Sequence, residues 1–209
     1  MLEASGVDVI PAAPVRTGTA DKVDPVNHLG ALRKTVLQCT KCSELVRTRH
    51  QIVFGSGNEK AELVFVGEAP GFDEDQQGLP FVGKAGQLLT KIIESIGLAR
   101  EEVFICNVLK CRPPQNRNPV PDEIVNCQPY LLKQLELIKP RVICALGSFA
   151  AKTLLNSDRS ISYLRGRFYE FRGSRLMCTF HPAYLLRNPE DKRKVWEDMK
   201  MIRAELGHG

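Results

Sequence analysis

Short apolar runs alternate with helix-patterned stretches along most of the chain, and that alternation restricts the fold more than any other feature. Leu63-Val64-Phe65-Val66, Val103 to Leu109 (VFICNVL) and Arg141 to Leu146 are short and nearly unbroken in apolar character, as strands buried on both faces are. Each is followed by a stretch with apolar residues at helical spacing: 86–97, Asp122 to Lys139 and Gly147 to Leu155. His28 to Gln38 predicts an earlier helix, with Leu29, Leu32, Val36 and Leu37 on one side, and residues 189–206 a final one. Phe168 to Phe171 and Arg175 to Phe180 read as two more strands about a Gly173-Ser174 turn. Alternation of this kind builds an α/β domain on a parallel sheet with helices on both faces. Residues 43–60 read as irregular. Residues 1–26 sustain no period and read as a loosely attached leader, which leaves 27–209 as the domain.

Between the first strand and the next helix lies Gly67 to Gly86, GEAPGFDEDQQGLPFVGKAG. Connections in α/β units are usually about 2–6 residues, so a loop of this length is expected to be functional. Its glycines and prolines imply fixed turns. It leaves the C-terminal end of a strand, the edge at which open α/β sheets bind ligands. Asn107 interrupts the apolar second strand, and His181 follows the last strand at the same edge. With the carboxylates Glu68, Glu74 and Asp75 they form a candidate site. Leu185-Leu186-Arg187 reads as a loop exposing two leucines beside an arginine, either a hydrophobic staple on the last helix or an apolar wedge with a phosphate contact. Lys110, Arg112 and Arg117, with Arg165, Arg167, Lys192, Arg193 and Lys194, form basic clusters of the kind that are mostly solvated faces, and several flank the expected ligand edge.

Seven cysteines and a net charge of +5 bound the chemistry. No apolar run approaches the roughly 20 residues of a membrane span. The N-terminus has no basic segment leading into an apolar core, so the expected compartment is the reducing cytoplasm, where disulfides are disfavoured. Cys39, Cys42, Cys111 and Cys127 fall at polar positions and suit zinc or an iron–sulfur cluster. A single C-x2-C, where zinc ribbons have two, favours iron. Cys106, Cys144 and Cys178 lie within apolar strands and read as core. Gly78 to Lys84 imitates a phosphate-binding loop but continues into Ala85, without the hydroxyl that binds magnesium.

The stretch 67–86, then CNVLKCRPPQNRNP from Cys106, then HPAYLLRNP from His181, with the four cysteines placed as they are, resembles the family 4 uracil-DNA glycosylases over residues 28–206. The resemblance implies a three-layer α/β/α sandwich on a four-stranded parallel sheet. It implies hydrolysis of the N-glycosidic bond of deoxyuridine in DNA, by a monomer, and a structural [4Fe–4S] cluster on Cys39, Cys42, Cys111 and Cys127. It places Phe81 on the flipped base, Asn107 at the uracil edge and His181 at its O2. Gly67, Ala69, Gly71 and Asn116 would line the base pocket. Leu185 and Leu186 would fill the vacated stack, with Arg187 and Arg117 on the DNA backbone. Better-known uracil glycosylases carry an aspartate where this chain has Ala69, so Glu68 and Glu74 become the carboxylates at the reacting sugar, their roles not separable.

Two other readings stay open at this level. One is a relative that traps uracil-DNA covalently, a type with an added basic loop bearing a histidine; Arg112 to Pro121 holds none. The other is a cluster-bearing nucleic-acid-binding module without chemistry. Whether the leader contacts a replication clamp is not readable.

Overall fold

The computed structural model describes residues 28–207. The expected leader lies outside the described residues.

Helix α1, Leu29–Leu37, begins where His28 Nδ1 accepts the Ala31 N–H at 3.2 Å. The stretch read as irregular holds a short helix, α2 (Ser43–Thr48), and a two-residue strand, β1 (Ser56–Gly57). The first buried strand is β2, Leu63–Gly67. Helix α3, Phe72–Gln77, and the start of α4, Lys84–Ser95, divide what the sequence presents as one continuous loop. The reason is local. Asp73, Glu74 and Asp75 occupy the first turn of α3, where the helix dipole favours negative charge, Glu74 reaches back to the Gly71 N–H, and Gly78 closes the helix at φ 70°.

Strand β3, Phe104–Asn107, follows, then a single 3-10 turn at Pro114–Asn116 and helix α5, Pro121–Ile138. Next come β4 (Val142–Leu146), α6 (Gly147–Leu155), the short α7 (Ile161–Leu164), β5 (Phe168–Phe171) and β6 (Ser174–Thr179). Residues 182–187, read as a loop, form helix α8 (Pro182–Arg187), and α9 (Lys192–Leu206) closes the fold. Pro182 stands at the first helical position of α8, where its missing N–H costs nothing.

The sheet runs β1-β3-β2-β4-β6-β5. Its four central strands are mutually parallel, as expected, and antiparallel β1 and β5 close the two edges. Strand alternation sorts the core into two layers. Val64, Val66, Ile143, Ala145, Leu176 and Cys178 pack with Leu32, Val36, Leu131 and Leu135 from α1 and α5. Leu63, Phe65, Cys144 and Met177 pack with Leu89, Ile93, Met199 and Ile202 from α4 and α9. Cys106, Cys144 and Cys178 are buried in these layers, as their strand positions foretold. Among the described residues no helix is long and apolar enough to cross a membrane.

Candidate active site

Parallel strands deliver their C-terminal ends to one edge, and there the loops after β2, β3 and β6 surround a cavity of about 490 Å³. Glu68, Ala69, Gly71, Glu74 and Phe81 reach it from the β2 side. Asn107, Asn116 and Arg117 come from the β3 side, and His181 and Arg187 from the β6 side.

Gly67 pairs with Asn107 as the last rung between β2 and β3. A Cβ on Gly67 would lie 2.3 Å from Asn107 Oδ1 and 2.6 Å from the Phe81 ring, so glycine lets both side chains close over the strand end. Gly67 itself is buried beneath them. Asn107 is 2% exposed, and its Oδ1 has no hydrogen-bond partner within the chain. Buried polar atoms are rarely left unmatched, and one at a cavity wall points to a ligand's donor.

Phe81 holds φ at 53°, a strained value for a bulky residue. The turn is pinned from outside by Arg100, whose Nη2 donates to the Pro80 and Phe81 carbonyls at 2.7 and 3.0 Å. Nothing in the sequence around Arg100 signals this task. The Phe81 ring lies 5.5 Å from the His181 ring, tilted 33°.

His181 caps α8: its Nδ1 accepts the Ala183 N–H at 3.1 Å, so the neutral ring carries its proton on Nε2. Burial, then the charge of Arg187, lowers the imidazole to about 4 against a smaller opposing pull from Glu74. The ring is a neutral hydrogen-bond donor at pH 7.

The carboxylates part company. Glu68 stands half-buried at the cavity, and desolvation raises it to about 7. Glu74 accepts from Gly71, Val82 and Gly83 backbone N–H groups at 3.1, 2.8 and 3.0 Å, tying both ends of the β2–α4 connection together. It thereby fills the anion position at the start of α4, taking the Val82 and Gly83 N–H groups that a phosphate would use in the imitation loop at 78–84. Asp75 is buried and faces away, accepting from the His50 and Gln51 amides.

Three expectations about DNA contact need correction. Leu185 is 1% exposed and packs into the α4–α9 core layer, because helix α8 turns it inward; only Leu186, 46% exposed, stands clear. Arg117 lines the cavity but is held by Glu123 at 2.6 Å and Glu44 at 2.7 Å, so its charge is already matched. Lys110 is fully buried, its Nζ donating to the Asn107 carbonyl and to Gln134 Oε1, so it braces β3 from behind and offers no surface charge.

Residues 54–200 match the model of the uracil DNA glycosylase superfamily. The chain belongs to that superfamily. It is 48% identical to the type-4 uracil-DNA glycosylase of Archaeoglobus fulgidus over 87% of this chain and 95% of that one. It is 44% identical to the enzyme of the same name from Saccharolobus solfataricus, over 87% and 88% of the two chains. With that of Thermotoga maritima it shares 45% over 81% and 90%.

On the side of α1 and α5 the four expected thiols are presented by different elements. Cys39 follows α1, Cys42 caps α2, Cys111 follows β3 and Cys127 lies in α5. Three of them accept N–H groups: Cys111 from Arg49 Nη1 at 3.1 Å, Cys127 from the Lys110 amide at 3.2 Å, and Cys42 from Asn126 Nδ2 at 3.7 Å. Burial raises Cys42 and Cys111 and pushes Cys127 up to about 12, and in each the neighbouring Cys39 adds to the rise.

Proposed function

We propose that the protein is a uracil-DNA glycosylase: it takes uracil out of the DNA stack and hydrolyses its bond to deoxyribose, releasing the base and leaving an abasic site. The observation that carries this reading is one cavity lined by Asn107, whose buried Oδ1 has no partner within the chain, by the Phe81 ring and by a His181 whose neutral ring keeps its proton on Nε2. The likeness to type-4 uracil-DNA glycosylases over most of the chain supports it.

A base inside a duplex cannot be reached, so it must swing out to the cavity. Phe81 stacks on the extruded ring. Asn107 Oδ1 accepts from uracil N3–H while its Nδ2 donates to O4. Cytosine offers the opposite pattern, so an amide fixed against Gly67 rejects it. As the glycosidic bond breaks, negative charge grows on the base. His181 Nε2–H donates to O2 and stabilises the leaving anion without the ring first becoming cationic. The sugar acquires cationic character, and a carboxylate close by stabilises it and orients the attacking water. Glu68 takes that role because Glu74 is committed to the loop. Leu186 fills the space left in the stack, and Arg187 meets the backbone phosphate.

Cys39, Cys42, Cys111 and Cys127 hold an iron–sulfur cluster in this reading. Four sulfurs with N–H groups directed at them fit such a group, whose hydrogen bonds are a known means of tuning. Among the described residues no three histidine, cysteine or acidic side chains are placed to hold a single ion. Held by these four thiols, the group would supply a cross-link joining α1, the β3 exit and α5.

The test is direct. Purified protein is incubated with a uracil-containing oligonucleotide, and alkali then cleaves any abasic strand. A cleaved strand and free uracil are expected; an intact strand overturns the assignment.

A further inference from the structure

Phe72 begins α3 with its ring 55% exposed, and the fold gives it no core to cover. Scattered exposed apolar residues need no explanation by themselves. This one is held in place. The Arg112 guanidinium lies 5.0 Å from its ring centroid, and Arg112 Nε donates to Asn116 Oδ1 at 2.7 Å. Gln115 and Asn116 adopt φ of 54° and 55°, so the β3 loop accepts backbone strain at the point that fixes Arg112. The next residues inward, Gly71 and Pro113, line the cavity. A cation-backed aromatic surface therefore sits at the mouth, and Arg187 and the exposed Leu186 are presented by a different element, helix α8 after β6.

We infer that Phe72 and Arg112 form a stacking shelf for the nucleobase next to the extruded uracil. The inference rests on the proposed excision reaction. Swinging one nucleotide out leaves its neighbour without a stacking partner on one side. The ring face opposite the guanidinium replaces that partner, while the cation favours the anionic strand, as in sequence-tolerant single-strand sites. The shelf takes any base, because every base has a π face. It gives the enzyme a hold on single strands, where no complementary strand fixes the neighbour.

The probe is a single-stranded oligonucleotide with one 2′-fluoro-2′-deoxyuridine, whose fluorine disfavours the sugar cation and blocks turnover. Two companions lack the base immediately 5′ or immediately 3′ of it. Dissociation constants are measured for the wild type, Phe72→Ala and Phe72→Trp. Phe72→Ala is expected to weaken binding of the complete probe about tenfold, within the range measured for loss of one base–aromatic stack, and Phe72→Trp to retain it. One companion should weaken the wild type by a similar factor and leave Phe72→Ala no weaker than it already is. If Phe72→Ala binds the complete probe as tightly as the wild type, or if its loss multiplies with that of both companions, the shelf does not exist. Excision of ordinary uracil by the wild type is followed separately, so failure of the reaction and failure of the shelf are told apart.

Discussion

Gly67 and Asn107 meet so closely at the last rung of the central strands that a methyl group on Gly67 would stand 2.3 Å from Asn107 Oδ1. The same methyl would stand 2.6 Å from the Phe81 ring. Gly67→Ala must therefore push the base-reading amide and the stacking ring apart. Misplacing reacting groups by about 1 Å costs on the order of 100-fold in rate. A loss of that size in kcat/KM is expected, with the fold retained by circular dichroism. Activity within twofold of the wild type would mean that the two side chains do not read the base together.

Asn107→Ala leaves the strand intact and removes only the amide. Uracil N3–H and O4 then face no partner, and excision should fall at least about 100-fold, the scale seen when one fixed hydrogen-bonding group is lost from a reacting site. Because Oδ1 has no partner within the chain, stability should change little. Unchanged excision by Asn107→Ala would remove this residue from the site.

The pH dependence follows from Glu68 and His181. Burial raises Glu68 to about 7, and the form that stabilises the sugar cation is the ionised one. Single-turnover excision should therefore rise about tenfold per pH unit below that value and level off above it. Burial lowers His181 to about 4, so the imidazole is neutral throughout and adds no second limb between pH 5 and 8. Glu68→Gln should abolish the rise and leave a low, flat profile. A rise that persists in Glu68→Gln assigns the limb to another group.

Iron is the expected metal of the four thiols. Protein purified without oxygen should be brown, with iron and acid-labile sulfide near four per chain. Cys111→Ala should lose the colour and unfold at a lower temperature, since ligand binding at such a site is coupled to folding. Zinc without iron in the wild type would overturn the cofactor assignment.

The parallel core was legible because its strands are unbroken apolar runs, and Asn107 stood out by breaking one of them. The cavity's members were legible because residues at one strand edge converge whatever their separation in sequence. What was not legible depends on short helices and distant partners. Helix α3 is stabilised by a carboxylate whose targets lie both before and after it, at Gly71, Val82 and Gly83, so the sequence brings Glu74 to the cavity but hides that its oxygens also hold the loop. Lys110 reads as a surface base among arginines, and only the fold shows it turned inward to Gln134. Arg117 looks free until Glu44, from a helix far away in the chain, comes to meet it.

The adjacent leucines of α8 show how much one helical turn decides. On a loop both would face the DNA. On a helix, neighbours point about 100° apart, so Leu185 enters the core and Leu186 faces out. Leu185→Ala should therefore cost about 2–5 kcal/mol of stability, the usual range for a buried leucine, read by chemical denaturation. Leu186→Ala should leave stability within about 0.5 kcal/mol, as exposed substitutions do. Its effect belongs to the duplex: a wedge is needed where an opposing strand can draw the uracil back, and much less where none exists. Leu186→Ala should thus reduce excision from double-stranded uracil-DNA several-fold more than from single strands. Equal losses on the two substrates would show that Leu186 holds the strand in some other way than by filling the emptied stack.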